Sequence, residues 1–256
     1  MKELILIGPL SQVITMTGIP LKGPVSDNQL QLIEDAGIFC EDGLVKSIDK
    51  YKKLLSELKD VDVQLIQLEG NHICLPGFVD SHTHICFGGS RARDYAMRNA
   101  GKTYLEIAEE GGGIWDTVQQ TRKATQKELV RGILKRAKQH LKNGVTTIEV
   151  KSGYGLSVEE ELKMLKAIKE ADNHYPLDFI STCLAAHMLP RDFNGSSSEY
   201  LSEISNQLFP ILKKDKLANR VDAFIEKGAF NEADITPYLT KAVEMGFDIT
   251  IHADQF

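Results

Sequence analysis

The chain has 256 residues, 42% of them hydrophobic and 26% charged, with a formal net charge of -6. That is enough apolar material for a sizeable core and more than one small domain needs. The acidic balance, without any basic block, argues against a nucleic-acid binder, and no apolar run approaches the roughly 18 residues of a membrane span.

The opening MKELILIGPL lacks the long apolar stretch and small-residue cleavage site of a signal peptide, so it reads as a first strand. Short strands are expected at Leu4–Ile7, Gln12–Thr15, Gly37–Cys40, Leu44–Ile48 and Val63–Leu68, with a hairpin turn at Glu41-Asp42-Gly43 and a short helix over Tyr51–Leu58. Residues 1–75 thus read as a small β-rich domain. From Leu75 the pattern becomes strand then helix, repeatedly. Leu75–Ser81 is an apolar strand running into a histidine pair. Thr125–Leu141 is a helix with Leu129, Ile133, Ala137 and Leu141 along one face. Thr125 with Glu128 forms a capping box at its start, and Gly144 lies beyond its end. Strand Val145–Val150, helix Val158–Ala171 capped by Ser157, strand Phe179–Ala185, helix Ser198–Lys213, strand Val221–Glu226, helix Ala233–Met245 and strand Phe247–His252 follow.

Those strands read as near-continuous apolar runs, as expected when both sheet faces are covered. Alternating βα units imply a parallel sheet. An open doubly wound sheet is the competing architecture, but no GxGxxG or GxxxxGK[ST] loop marks a nucleotide crevice. Polar residues instead gather just past the strand ends, where a (β/α)8 TIM barrel places its active site. The fold class is therefore α/β, with about five of the eight barrel units in residues 76–256. Cys40, Cys74, Cys86 and Cys183 form no CxxC pair and read as reduced, mostly buried thiols of a cytoplasmic protein.

The strongest chemical feature is Asp80-Ser81-His82-Thr83-His84 after Leu75-Pro76-Gly77-Phe78-Val79. Residues i and i+2 on a strand point the same way, so His82 and His84 can reach one metal ion. Two surface histidines are the plainer alternative. His252 again follows an apolar strand directly, and three such histidines suit zinc or ferrous iron with a position left open. Taken alone, His252 reads equally well as a hydrogen-bonded core residue. A fourth, carboxylate ligand is not marked; Asp254 lies two residues on without any sign of that role. His187 ends another strand, where it could polarise a carbonyl or cap a helix. Arg91, just after the Gly88-Gly89 pair where backbone can approach a ligand closely, offers a bidentate fork for a carboxylate, with a surface salt bridge as its alternative. Tyr154 between Gly153 and Gly155 presents a hydroxyl on a loop or packs there. Tyr104 and Glu226 are weaker candidates. His72, His140 and His174 read as ordinary surface residues.

At this point the residues become specific. The HxH after LPGFVD resembles the first-strand metal motif of the amidohydrolase superfamily. The stretches FGGSR, GKTYLEI, GGGI, EVKSGYGL, LAAHMLP, FIEKGAF and IHADQF, in that order, resemble the imidazolonepropionase family across essentially the whole chain. That resemblance implies metal-dependent hydrolysis of the ring amide of 4-imidazolone-5-propanoate to N-formimino-L-glutamate, in histidine catabolism. It implies one divalent metal, zinc or iron, on His82, His84 and His252, which activates water and stabilises an oxyanion. It implies Arg91, Tyr104, Tyr154, His187 and Gln255 as substrate contacts, with His252, Gln255 and His187 in catalysis. The partner would be a small molecule with a carboxylate tail, with no nucleic acid and no membrane; a homodimer stays open. Two departures stand out: Gln255 occupies a position where the family carries Glu, and Ile225 stands where Cys is expected. The family's last metal ligand, an Asp on the eighth strand, and a further catalytic His lie beyond Phe256. The chain is therefore expected to be the N-terminal portion of a protein roughly 150 residues longer, with the small domain finished by C-terminal strands. Two alternatives remain: another cyclic amide or amine hydrolase of the same superfamily, and a truncated, non-catalytic metal-binding remnant.

Overall fold

The computed structural model describes residues 2–226 and 228–254, and the side chains of Tyr104, Leu105 and Ala108 are left out of the description. The chain forms two compact units, residues 1–77 and 78–256.

In the first unit, strand β1 (Leu4–Ile14) pairs antiparallel with β2 (Leu32–Glu41), which pairs with β3 (Leu44–Lys50). Helix α1 (Tyr51–Glu57) leads to β4 (Gln64–Gln67) and β5 (Ile73–Cys74), both parallel to β1. The two strands expected at Leu4–Ile7 and Gln12–Thr15 are one, β1. A register shift between Ile7 and Leu10 absorbs Gly8-Pro9 as a bulge, and pairing resumes beyond it. The β2–β3 hairpin turns through Asp42 and Gly43, both at positive φ (50° and 78°), the backbone that a two-residue type I′ turn requires. Leu6, Tyr51 and Leu54 form one small core, and Leu10, Val13, Ala36 and Ile38 another.

In the second unit five parallel strands run in the order β10-β9-β8-β7-β6. They are β6 (Phe78–Asp80), β7 (Val145–Lys151), β8 (Asp178–Ala186), β9 (Arg220–Phe224) and β10 (Asp248–His252). Helices α2 (Ala92–Asn99), α3 (Tyr104–Glu109), α4 (Gly113–Lys123) and α5 (Gln126–Lys142) lie between β6 and β7. Helices α6 (Val158–Asp172), α7 (Ser197–Asp215) and α8 (Glu232–Glu244) alternate with the later strands. The expected capping box of α5 is present, with Thr125 accepting from Glu128 N and Glu128 accepting from Thr125 N. Helices α2 and α4 bury few large apolar side chains. The buried positions of α4 are Gly113, Thr117, Val118 and Thr121, and that of α2 is Asp94, so period and hydropathy give little signal.

The barrel strands are not apolar on both faces. Ile148, Val150, Phe179, Cys183, Ala185, Val221 and Ala223 join the helix-side core. The opposite positions include Glu149, Lys151, Thr182 and Asp222, all buried. This alternation replaces the continuous apolar runs expected from sequence, and it puts ionised groups under the mouth of the sheet. All four cysteines are free thiols, Cys86 and Cys183 buried. No helix among the described residues is long and apolar enough to cross a membrane.

Tyr200 of α7 ties helix to sheet: its buried hydroxyl donates to the Ala185 carbonyl at 2.9 Å. Tyr200→Phe strands that carbonyl and is expected to destabilise the protein by about 1–2 kcal/mol in urea denaturation. An unchanged midpoint would mean that the bond contributes nothing.

Candidate metal centre

The turn after β6 is shaped by Asp80, whose Oδ1 accepts from His82 N at 3.3 Å and whose Oδ2 lies 3.3 Å from His140 Nδ1. His140 is thus not an ordinary surface residue: it braces the turn from α5. His174 instead sits against its own helix, Nδ1 to Glu170 O at 2.6 Å. Beyond the turn, His84 Nε2 lies 3.3 Å from His82 Nε2 and 3.3 Å from His252 Nε2. Three ring nitrogens from the two outer strands of the sheet therefore face one point.

This arrangement fits a cation and little else. Neutral imidazoles that aim Nε2 lone pairs at each other repel, and one shared proton serves only two of the three. A tetrahedral ion with metal–nitrogen bonds of about 2.0–2.1 Å sets its ligand nitrogens about 3.3–3.4 Å apart. The three groups form one candidate metal cluster, with Nδ1 of His84 and of His252 buried and without an aligned hydrogen bond.

Burial holds His84 and His187 neutral. His84 is pushed down to about 3, first by burial and then by the neighbouring imidazoles and Lys151. His187 is pushed down to about 4 by burial, against the hydrogen bond it makes to Gly153, with Arg91 among the charges that add to the fall. His82 is lowered too, again mainly by burial. A neutral imidazole is the form that ligates. These groups accept protons more readily in the unfolded chain than in the fold. The metal-free protein should therefore be fully stable above about pH 6.5, the unfolded imidazole value, and lose stability as pH falls below it. Urea midpoints that stay level between pH 7 and pH 5 would contradict this.

His187 follows β8. Its Nδ1–H donates to the Gly153 carbonyl at 2.8 Å, which leaves Nε2 as the acceptor. Its ring stacks 5.7 Å from that of His84, and Tyr154 lies 5.4 Å from His187 and 6.0 Å from His84. The Tyr154 loop is fixed from below by the buried Glu161 carboxylate, which accepts from Gly153 N (3.0 Å), Gly155 N (2.7 Å) and Leu156 N (2.8 Å). Gly155 is required there, since a Cβ would meet Glu161 N at 2.5 Å. Arg122 closes the loop from the other side, donating to the Gly155 and Leu156 carbonyls.

Arg91 is held by Asp94 (Nε to Oδ2, 2.7 Å) and Thr117 (Nη1 to Oγ1, 3.1 Å). Gly88 and Gly89 do not open the backbone to a ligand, as their position before Arg91 suggested. A Cβ on either would strike Gln120 of α4, at 2.6 Å and 2.8 Å, so close helix packing explains both. Glu226 lines a cleft of about 430 Å³ beyond β9, together with Phe230 and Asn231, and none of the three clustered histidines lines it. Gln255 and the Tyr104 side chain lie outside the described residues. Ile225 packs against the core, and its N–H donates to the His252 carbonyl at 2.8 Å.

Three buried residues next to this cluster escaped the sequence reading: Glu149, Lys151 and Asp222. Asp222 Oδ2 lies 2.9 Å from His252 Nδ1 and 2.7 Å from Lys151 Nζ. Burial alone would push the Asp222 carboxyl up, but contact with His252 and Lys151 brings it down to about 2. The only sequence cue was an acidic residue alternating with apolar ones inside a strand.

Comparison with known proteins bears on this geometry. No family model matches the chain. The structure resembles a 5-methylcytosine deaminase of Klebsiella pneumoniae liganded with 5-fluorocytosine, with a TM-score of 0.59, 14% identity and coverage of 98% of this chain and 52% of that one. It also resembles an atrazine chlorohydrolase variant of Arthrobacter aurescens complexed with zinc and atraton, with a TM-score of 0.54, 15% identity and coverage of 98% and 53%. The curled parallel sheet is thus a part-barrel fold shared with these two proteins, and the histidine cluster at its mouth suits a divalent metal. An imidazolonepropionase of Clostridium tetani is 38% identical over 251 residues, covering 98% of this chain and 60% of that protein. The chain is similar to imidazolonepropionases and spans less than two thirds of that relative's length.

Proposed function

We propose that this chain carries the metal-binding half of a hydrolase that opens the ring amide of 4-imidazolone-5-propanoate to give N-formimino-L-glutamate. The observation that carries the reading is the convergence of three imidazoles on the mouth of a curled parallel sheet, with His84 Nε2 3.3 Å from Nε2 of each of the other two and the three candidate ligand atoms within 4.8 Å of one another. His82, His84 and His252 would hold one divalent ion, zinc or iron. When bound, the ion supplies Lewis acidity to hydrolysis. The chain's own residues do the rest. His187, fixed by Gly153 with Nε2 open, receives or holds a proton beside the ring being opened. Arg91 pairs with the propionate tail, its guanidinium aimed by Asp94 and Thr117. Tyr154 and Tyr104 contact substrate, and Gln255 orients the ring by hydrogen bonds. Four free thiols accord with a cytoplasmic setting.

The experiment is an activity panel on the purified protein with zinc or iron: imidazolone propionate against dihydroorotate, hydantoin and guanine. Turnover of imidazolone propionate alone is the expected result. Preference for another ring moves the assignment within the superfamily, and tight metal binding without turnover of any substrate would overturn hydrolysis.

A further inference from the structure

The floor beneath the three imidazoles carries more charge than packing requires. Glu149 and Lys151, two apart on β7, are 3% and 1% exposed, and Asp222 on β9 is fully buried. Lys151 Nζ lies 2.7 Å from Glu149 Oε2 and 2.7 Å from Asp222 Oδ2. Buried ion groups of this kind are weak sources of stability, because desolvation cancels much of the attraction. Their retention calls for another use, and the geometry supplies one.

Asp222 is immobilised from three sides. Its Oδ1 accepts from Ala223 N at 2.8 Å. Its Oδ2 is shared between Lys151 Nζ and His252 Nδ1, at 2.7 Å and 2.9 Å. Lys151 is itself pinned by Glu149, whose other oxygen accepts from Thr182 Oγ1 at 2.6 Å and lies 3.4 Å from Arg220 Nη1. His252 is the last residue of β10, at the edge of the sheet, and nothing in its own strand fixes the ring flip. A carboxylate 2.9 Å from Nδ1 favours the flip and tautomer that keep the proton on Nδ1 and turn the Nε2 lone pair toward His84, although Nδ1 is not aligned for a hydrogen bond in this structure.

We infer that Asp222 and Lys151 are positioning residues for His252, Asp222 holding the imidazole in its Nδ1–H form and Lys151 clamping Asp222 in place. This rests on the metal-site reading above. Neither residue touches the shared point between the Nε2 atoms; both act through His252.

The test uses Asp222→Asn, Lys151→Met and, as a control, Arg220→Met, which removes a cation beside Glu149 but leaves Asp222 and its contacts. Zinc affinity is measured by competition with a chromophoric chelator. The His252 tautomer is read from its imidazole nitrogen-15 shifts in metal-free protein, and folding is checked by far-ultraviolet circular dichroism. Asp222→Asn and Lys151→Met should each weaken zinc binding by roughly 10- to 100-fold, the usual loss for a partner of a metal-ligating histidine. Arg220→Met should leave the affinity unchanged. Asp222→Asn removes the negative charge that favours the Nδ1–H form but keeps an oxygen that can turn to Lys151 and Nδ1, so the His252 nitrogen-15 shifts should move toward a mixture of the two tautomers. Folded Asp222→Asn with wild-type zinc affinity and an unmoved tautomer overturns the inference. If the wild-type protein binds no zinc, the metal reading fails, and the tautomer shift alone then decides whether Asp222 positions His252. If Lys151→Met does not fold, Asp222→Asn, nearly equal in shape, carries the result.

Discussion

His84→Ala is expected to abolish tight metal binding, with zinc affinity falling at least ~100-fold, beyond what loss of an outer partner of a ligand costs. The magnitude follows from position. His84 is the ring whose Nε2 stands 3.3 Å from both His82 Nε2 and His252 Nε2. Its loss takes away the nitrogen that links the other two and leaves two ligands where a closed site needs three or four. Hydrolysis should drop to background with it. The informative contrast is His187→Ala. That ring stacks against His84 but points its Nδ1–H at a backbone carbonyl, so its loss should slow turnover while metal stays bound. Equilibrium dialysis with zinc separates the two. Wild-type zinc content in His84→Ala would show that the cluster is not the metal centre.

Glu161→Ala should be the most damaging single change away from the cluster. The Glu161 carboxylate is fully buried and accepts three backbone N–H groups of the Tyr154 loop. Truncation leaves three buried donors unanswered, each worth about 1–3 kcal/mol, so a loss of roughly 3–9 kcal/mol in denaturant unfolding is expected. Glu161→Gln keeps an acceptor for Gly155 and Leu156 but turns an NH2 toward Gly153 N, so its cost should be near that of one orphaned donor. The variants should also disturb turnover, because the loop sets both Tyr154 and the Gly153 carbonyl that orients His187. If Glu161→Ala unfolds at the wild-type midpoint, the loop is held by other means, Arg122 being the first to examine.

The βα alternation was legible because α5 to α8 carry real periodicity and capping residues, and the strands between them carry β-branched apolar runs. The HxH pair was legible because its two ligands are neighbours in sequence. His252 stood out as a histidine ending a strand. Asp222 and Lys151 did not, since their meaning depends on a neighbour in another strand. Asp222 acquires a role only once β10 lies beside β9 and brings His252 against it. The region of α2 to α4 stayed dark for a different reason. Among the described side chains it buries Ile107 and Val118 but otherwise glycine, threonines and an aspartate, so composition does not separate its helices from loop. Gly88 and Gly89 were given a ligand-facing reason when α4, invisible to the sequence reading, was the neighbour they had to admit.

His82 and His84 follow β6 and His252 ends β10, the two outermost strands of the sheet. Yet ring nitrogens from the two sides meet at 3.3 Å, 168 positions apart in the chain. A flat five-stranded sheet with strands about 4.8 Å apart would hold its edges roughly 19 Å from each other. The cluster is therefore a gauge of curvature. Whatever flattens the arc draws His252 away from His84, and whatever grips all three imidazoles keeps the arc bent, so the shape of the sheet and the occupancy of its mouth move as one variable.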